Sequence, residues 1–346
     1  MTVQCAICGS YVCRGGNREA GPDDCPMKDD FPAADDLYGD ETARNLLVTA
    51  ALIEARGYGH WTRLRELGEF SRLLGVTRLG IGHAPDMAWE AQQVAAYLRR
   101  FDLEPILPPQ KESCDPLGQA EFFRRKETEL NVVAGMHVVG EALFLKRSHV
   151  PAVAFLARDA RLHHNPAAAL YTSRSYSQDE LHGHWPREER PDARGGEDAL
   201  LSMTGGPSGA PPRSRLAEAM DVAHRLGASH LGFTFCVGFK EEARTLVKIL
   251  EINGFTVSSA CCKTGATPKE AFGIKDEEKV RPGRPEMICN PVAQAELLNR
   301  DGVQFAFVLG QCVGHDAATF RHLRAPAICL VAKDRVLAHN PVAALY

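Results

Sequence analysis

The sequence has no run of about 18 uncharged apolar residues, so it offers no helix that could span a membrane. Its opening residues, MTVQCAICGS, lack the apolar stretch of a secretory signal, and a reducing, cytoplasmic setting is the expectation. There is no excess of positive charge either: 40 Lys and Arg face 44 Asp and Glu, a net charge of −4, which leaves no basic footprint for nucleic acid. The chain also has no G-x-x-x-x-G-K-[ST] loop, no G-x-G-x-x-G opening a helix and no G-x-S-x-G elbow. No nucleotide cofactor is expected.

What the chain does have is cysteine, eleven of them. In a reducing compartment such usage points to metal ligation or thiol chemistry rather than a disulfide framework, and an odd total fits poorly with complete pairing. Four fall within residues 1–30, a segment rich in Gly, Pro and Asp with little to bury, which needs a staple to fold. Cys5, Cys8, Cys13 and Cys25 form C-x2-C-x4-C-x11-C, and the first pair has the spacing of a chelating knuckle. Four thiolates suit zinc or an iron–sulfur cluster, and the spacing does not choose between them.

The second feature is a repeat. "HHNPAAALY" at 163–171 returns as "AHNPVAALY" at the end of the chain, 175 positions later. At that offset residues 114–171 run against 289–346 without a gap, with 22 identities in 58 positions. Further upstream the offset is 152, so the second copy holds 23 extra residues between Ser258 and Cys289. This is a duplicated domain, too long for a solenoid unit. Residues 41–75 read as helices, with Gly75 as a C-cap. Strands and helices alternate through 77–171 and 214–346, which predicts an α/β fold of two tandem Rossmann-like parallel-sheet units. Residues 172–213, rich in Ser, Gly, Pro and charge, read as a disordered linker in which His182 and His184 are solvated.

The layout gives the cysteines of the second copy a geometry. Cys236, Cys261, Cys262 and Cys312 each follow an apolar strand, and Cys289 precedes Asn290-Pro291, a helix N-cap and first-turn pair. Strand ends and helix starts share one edge of a parallel sheet, where such folds keep their binding sites. Cys236, Cys262, Cys289 and Cys312 are therefore the expected ligands of a metal or cluster. Lys263, His315 and Asp316 stand nearby for charge stabilisation and proton transfer. Cys329, inside "AICLV", reads as core. The first copy has Ala84, His137 and Gly140 where the second has Cys236, Cys312 and His315, and only Cys114 matches a thiol, Cys289. It reads as a degenerate, chemically silent partner that packs on the second as an internal pseudo-dimer. Asp159 and Asp334, Gly135 and Gly310, and the His-Asn-Pro phrase are kept in both, as fold-making sequence in which Asn165-Pro166 and Asn340-Pro341 resemble N-cap pairs.

"FCVGFKEEA", "CCKTG", "MICNPVAQAELLN", "GQCVGHD" and "AKDRVLAHNPVAALY", with the leading "CAIC…C…CP" and "ARGYGHWTRLRELGEF", resemble the cysteine-rich domain of unknown function 1847. The resemblance covers nearly everything outside the linker. It implies a metal and no particular reaction, and members usually carry one α/β unit where this chain has two. Two functions follow. One is an iron–sulfur centre at the strand ends of the second unit, with sulfur transfer or desulfidation of a small molecule as its chemistry. The other is a non-catalytic zinc-binding or metal- and redox-sensing protein. Thiol–disulfide exchange through Cys261-Cys262 ranks below both.

Overall fold

A computed structural model describes residues 2–28, 34–109, 115–182, 197–203 and 212–346. After the cysteine-rich segment come three helices, α1 (Ala34–Leu37), α2 (Glu41–Gly57) and α3 (Arg63–Leu74). Asp40 caps α2 through its side chain, Thr62 caps α3, and Gly75 closes α3 in the left-handed conformation at φ 79°.

The first unit then runs β1 (Arg78–Gly82), α4 (Ala88–Leu98), β2 (Glu104–Ile106), α5 (Pro116–Arg125), β3 (Leu130–Ala134), α6 (Val138–Arg147), β4 (Ala152–Leu156) and α7 (Ala167–Tyr171). Two short helices, α8 (Gln178–Leu181) and α9 (Glu197–Ser202), lie between the units. The second unit has α10 (Arg215–Arg225), β5 (His230–Phe235), α11 (Lys240–Ile252), β6 (Thr256–Cys261), α12 (Pro291–Arg300), β7 (Phe305–Leu309), α13 (His315–His322) and β8 (Ala327–Val331). Both sheets have four parallel strands, in the orders β2-β1-β3-β4 and β6-β5-β7-β8. The fold is α/β with two tandem parallel-sheet units. β3, β4, β7 and β8 are buried along their whole length, as continuous apolar strands covered on both faces must be. Among the described residues no helix is long and apolar enough to cross a membrane.

The units are joined by an exchange of arginines. Arg63, the first residue of α3, donates to the Ala154 carbonyl of its own unit and to the Gln311 and Lys333 carbonyls and the Asp316 carboxylate of the second. Arg215, the first residue of α10, donates to the Cys329 carbonyl of its own unit and to the Met136 and Arg158 carbonyls and the Glu141 carboxylate of the first. Asp334 accepts the Arg63 backbone N–H at 2.7 Å, and Asp159 accepts that of Arg215 at 2.8 Å. The first backbone N–H of each leading helix is thus satisfied by the other half. Between the two sheets, Ala154 and Ala157 pack on Cys329 and Ala332.

Two expectations need correcting. Part of the supposed disordered linker is packed: Leu181, Leu200 and Met203 are buried in the core, because these apolar side chains have α6 and α10 to lie against. His182 is described and half-buried, while His184 lies outside the described residues. The Asn165 and Asn340 side chains do not cap helices. Their Oδ1 atoms are buried without a hydrogen-bond partner among the described residues. The turn is made instead by Asp159 and Asp334, which accept the backbone N–H groups two and three residues on.

Candidate metal centre

The N-terminal segment docks on the second sheet. Gln4 bridges Ser259 in parallel register, the Ser259 N–H donates to the Val3 carbonyl at 2.7 Å, and the Ala6 N–H donates to Ser259 Oγ at 3.0 Å. Arg18 donates to the Gly265 carbonyl. The consequence is a cavity of about 250 Å³ lined by Cys5, Cys8, Cys13 and Cys25 together with Cys261, at the end of β6. The Cys13 and Cys261 thiols are in hydrogen-bond contact.

Cys262, the next residue, faces the other way, into a crevice at the strand ends of the second unit. Its thiol contacts those of Cys236, just past β5, and Cys289, ahead of α12. Asn290 caps α12 as the sequence predicts, its Oδ1 accepting from the Ala293 N–H and the Tyr38 hydroxyl. Cys312, between β7 and α13, completes the group. The crevice thiols are all buried, and they share cations: Lys333 Nζ lies 2.9 Å from Cys236 Sγ and 3.9 Å from Cys312 Sγ, Lys263 Nζ 3.4 Å from Cys289 Sγ, and an Arg335 N–H 3.0 Å from Cys312 Sγ. Glu54 of α2 holds Arg335 at 2.6 Å and Glu66 of α3 at 3.0 Å. The N-terminal helices therefore build one wall of the second unit's site.

Electrostatics follow from these contacts. The Cys262 hydrogen bond, with Lys333 behind it, brings the Cys236 pKa down to about 5. Cys289 is lowered by its bond from Cys262 and then by Lys263. Cys261 is lowered by its bond from Cys13, and Cys262, the donor to its neighbours, is raised. Burial opposes charge on His315, but Cys289 and Cys312 on either side lift its pKa to about 10. The buried Nε2 of His315 has no aligned hydrogen-bond partner among the described residues.

Of the residues anticipated from sequence, Cys236, Cys262, Cys289, Cys312, Lys263 and His315 come together. Asp316 does not join them. Its carboxylate accepts from Arg63, Ala154, Gly314 and Ala317, so it is a buried interface group with no free acceptor aimed at the thiols. Cys114 lies outside the described residues. Sequence reasoning missed Cys261 as part of the N-terminal cavity, and it missed Lys333, Arg335, Glu54 and Glu66. Arg335 left a signal, since the first copy has Ala160 there. Among the described residues the corresponding place in the first unit holds no thiol. Arg158, where the second unit has Lys333, binds Asp86 and lies 3.1 Å from His137 Nδ1.

The donor set is soft, with the thiolate favoured at Cys236 and Cys289, fixed cations around it and one orphaned imidazole nitrogen, which fits a thiolate-bound metal or cluster. Among the described residues no three Cys, His, Asp or Glu side chains close on a common point, so ligation requires the thiols to draw together from their present positions.

A family model described as a protein of unknown function (DUF1847) matches residues 25–109, 106–155 and 198–330. The uncharacterized protein MJ0455 of Methanocaldococcus jannaschii is 37% identical over 134 residues, 39% of this chain and 67% of that protein. Among solved structures, Dph2 from Pyrococcus horikoshii with a 4Fe-4S cluster aligns at a TM-score of 0.25 and 13% identity, over 78% of this chain and 89% of that one. A second Dph2 structure from the same organism aligns at 0.23 and 12%, over 77% and 88%. Likeness at that level carries no argument about this chain.

Proposed function

The chain belongs to the DUF1847 family, whose description states no activity, and from the geometry we propose that it is a metal-binding protein with an iron–sulfur cluster held by Cys236, Cys262, Cys289 and Cys312. One observation carries this reading: four buried thiols from four separate segments line one crevice, each within reach of a neighbouring thiol or of a shared cation among Lys263, Lys333, Arg335 and His315. A buried thiolate is expensive unless paired, and Lys333 beside Cys236 and Lys263 beside Cys289 supply that pairing without disulfides.

Bound there, a cluster would supply electron transfer or Lewis acidity. The protein's own groups have separate tasks. Lys333 and Arg335 donate to the sulfurs of Cys236 and Cys312, and Lys333 favours the thiolate at Cys236. Glu54 and Glu66 hold Arg335 in place. His315 carries a proton at the edge of the thiol group, available to a small molecule that reaches it. The N-terminal thiols form a second site, for zinc or a further cluster. The first unit, with Ala84, His137 and Gly140 at the equivalent positions, supplies packing and no ligand.

The test is elemental analysis of protein purified without oxygen, with iron, zinc and acid-labile sulfide counted per chain and the visible spectrum recorded. Iron with matching sulfide, lost in Cys236→Ser and Cys312→Ser, is the expected result. Zinc alone, unchanged in both variants, would overturn the proposal.

A further inference from the structure

Apart from Cys329, every described cysteine lies on one or other side of a single peptide bond. Cys261 presents its thiol to Cys13 in the N-terminal cavity, and Cys262 presents its own to Cys236 and Cys289 in the crevice. The two thiols, on neighbouring residues, also interact with each other. A continuous file of sulfur therefore runs from Cys5, Cys8 and Cys25, which reach solvent, through buried Cys13 and Cys261 to the buried crevice.

We infer that Cys261 is a transfer ligand: thiophilic metal ions captured by the N-terminal thiols reach the crevice by thiolate exchange through Cys261 and Cys262. This rests on the reading that the crevice holds metal. Two observations favour this route over direct loading. The crevice thiols are buried, and Lys263, Lys333 and Arg335 already donate to three of them, so a hydrated cation entering directly must bring in its charge and shed its water before a sulfur is free to take it. An ion already bound to two or more thiolates has lost that positive charge and much of its water. Each exchange breaks one metal–sulfur bond as the next forms. The proton of the incoming thiol passes to the sulfur released, and no electron changes hands.

The experiment uses the full chain, stripped with a chelator and mixed with cobalt(II) under anaerobic conditions, following the thiolate-to-cobalt absorption. Two phases are expected. The first accelerates with free cobalt, and the second is independent of it because the transfer is intramolecular. In Cys261→Ser the first phase remains and the second slows at least about tenfold, a barrier change of about 1.4 kcal/mol. Cys13→Ser interrupts the same file one thiol earlier and should slow the second phase as well, which separates the route from a folding defect at position 261. Cys312→Ser should reduce the second phase and leave the first. A second phase that scales with free cobalt and keeps its rate in Cys261→Ser would overturn the transfer role and leave the crevice site standing. A single phase untouched by Cys312→Ser would overturn both.

Discussion

Arg63 and Arg215 hold the same position in the two halves, the first residue of α3 and of α10, and each ends in a carboxylate of the opposite half. The pairs are buried, Arg63 to Asp316 at 2.6 Å and Arg215 to Glu141 at 2.7 Å. Removing one partner strands a charge and several carbonyls. Arg63→Met or Arg215→Met should therefore destabilise the chain by about 3–5 kcal/mol, measured by urea denaturation. Removing both charges together, as Arg63→Met with Asp316→Leu, should recover part of that loss. A loss below about 1 kcal/mol in either single variant would show that the exchange of arginines does not hold the halves together.

The twice-written His-Asn-Pro phrase predicts a pH dependence. His339 Nδ1 accepts the Asp334 N–H at 3.3 Å, and His164 Nδ1 accepts the Asp159 N–H at 3.3 Å, so both imidazoles act as acceptors and must be neutral. Burial, followed by nearby Lys333, lowers the His339 pKa to about 4, and burial lowers that of His164. The unfolded chain then binds more protons than the folded one between the ordinary histidine value and the folded value. The contribution of His339 is full above about pH 6.5 and is lost as pH falls towards 4. The melting temperature of the wild type should drop more steeply between pH 7 and 4.5 than that of His339→Asn. Asparagine tolerates the φ of 63° at this position and does not titrate. Parallel curves would show that the imidazole is protonated in the folded state.

Gly310, kept in both copies with Gly135, offers a packing test. A Cβ added at Gly310 would stand 2.2 Å from the Phe239 ring, whereas one at Gly302 meets nothing, although both residues have positive φ, 67° and 70°. Gly302→Ala pays only backbone strain of about 1 kcal/mol. Gly310→Ala must also displace Phe239, which packs on His339, and should lose about 1–3 kcal/mol more. Equal losses at the two positions would mean that the Phe239 contact is not tight.

The strands of the second unit and the placement of cysteines at their ends were legible because a parallel strand buried on both faces is a continuous apolar run, and its C-terminal end is fixed by the fold. Long-range partners were not. Asp316 sits two residues before Ala318 in a helix opening at the crevice, and nothing local reveals that its acceptors are taken by Arg63, 253 positions away. Cys261 and Cys262 looked like one unit, although Cys261 ends β6 and Cys262 opens the turn after it, and the change of direction leaves one thiol in the N-terminal cavity and the other in the crevice. The repeat itself held a further signal. Thr62-Arg63-Leu64 and Ser214-Arg215-Leu216 stand 152 positions apart and mark the leading helices as part of the duplication.

Because Glu54 and Glu66 come from α2 and α3, metal retention in the crevice should depend on residues remote in sequence from every ligand. Arg335 touches Cys312 at 3.0 Å while the Glu54 and Glu66 carboxylates hold its guanidinium. A hydrogen bond to a charged group contributes about 1.5–3 kcal/mol, so Arg335→Met should weaken crevice metal affinity by at least about tenfold. Glu54→Gln should have a smaller effect of the same sign, since Glu66 still restrains the guanidinium. Cys329→Ala provides the contrast. Cys329 is as buried as any crevice thiol, but it lies among Ala154, Ala157 and Ala332 between the sheets, so its loss should leave metal content unchanged. Metal per chain after gel filtration, measured on all three variants and the wild type, checks the order. Full retention in Arg335→Met would remove the cation from any part in holding the thiolates, and metal loss in Cys329→Ala would move the centre to the interface between the halves.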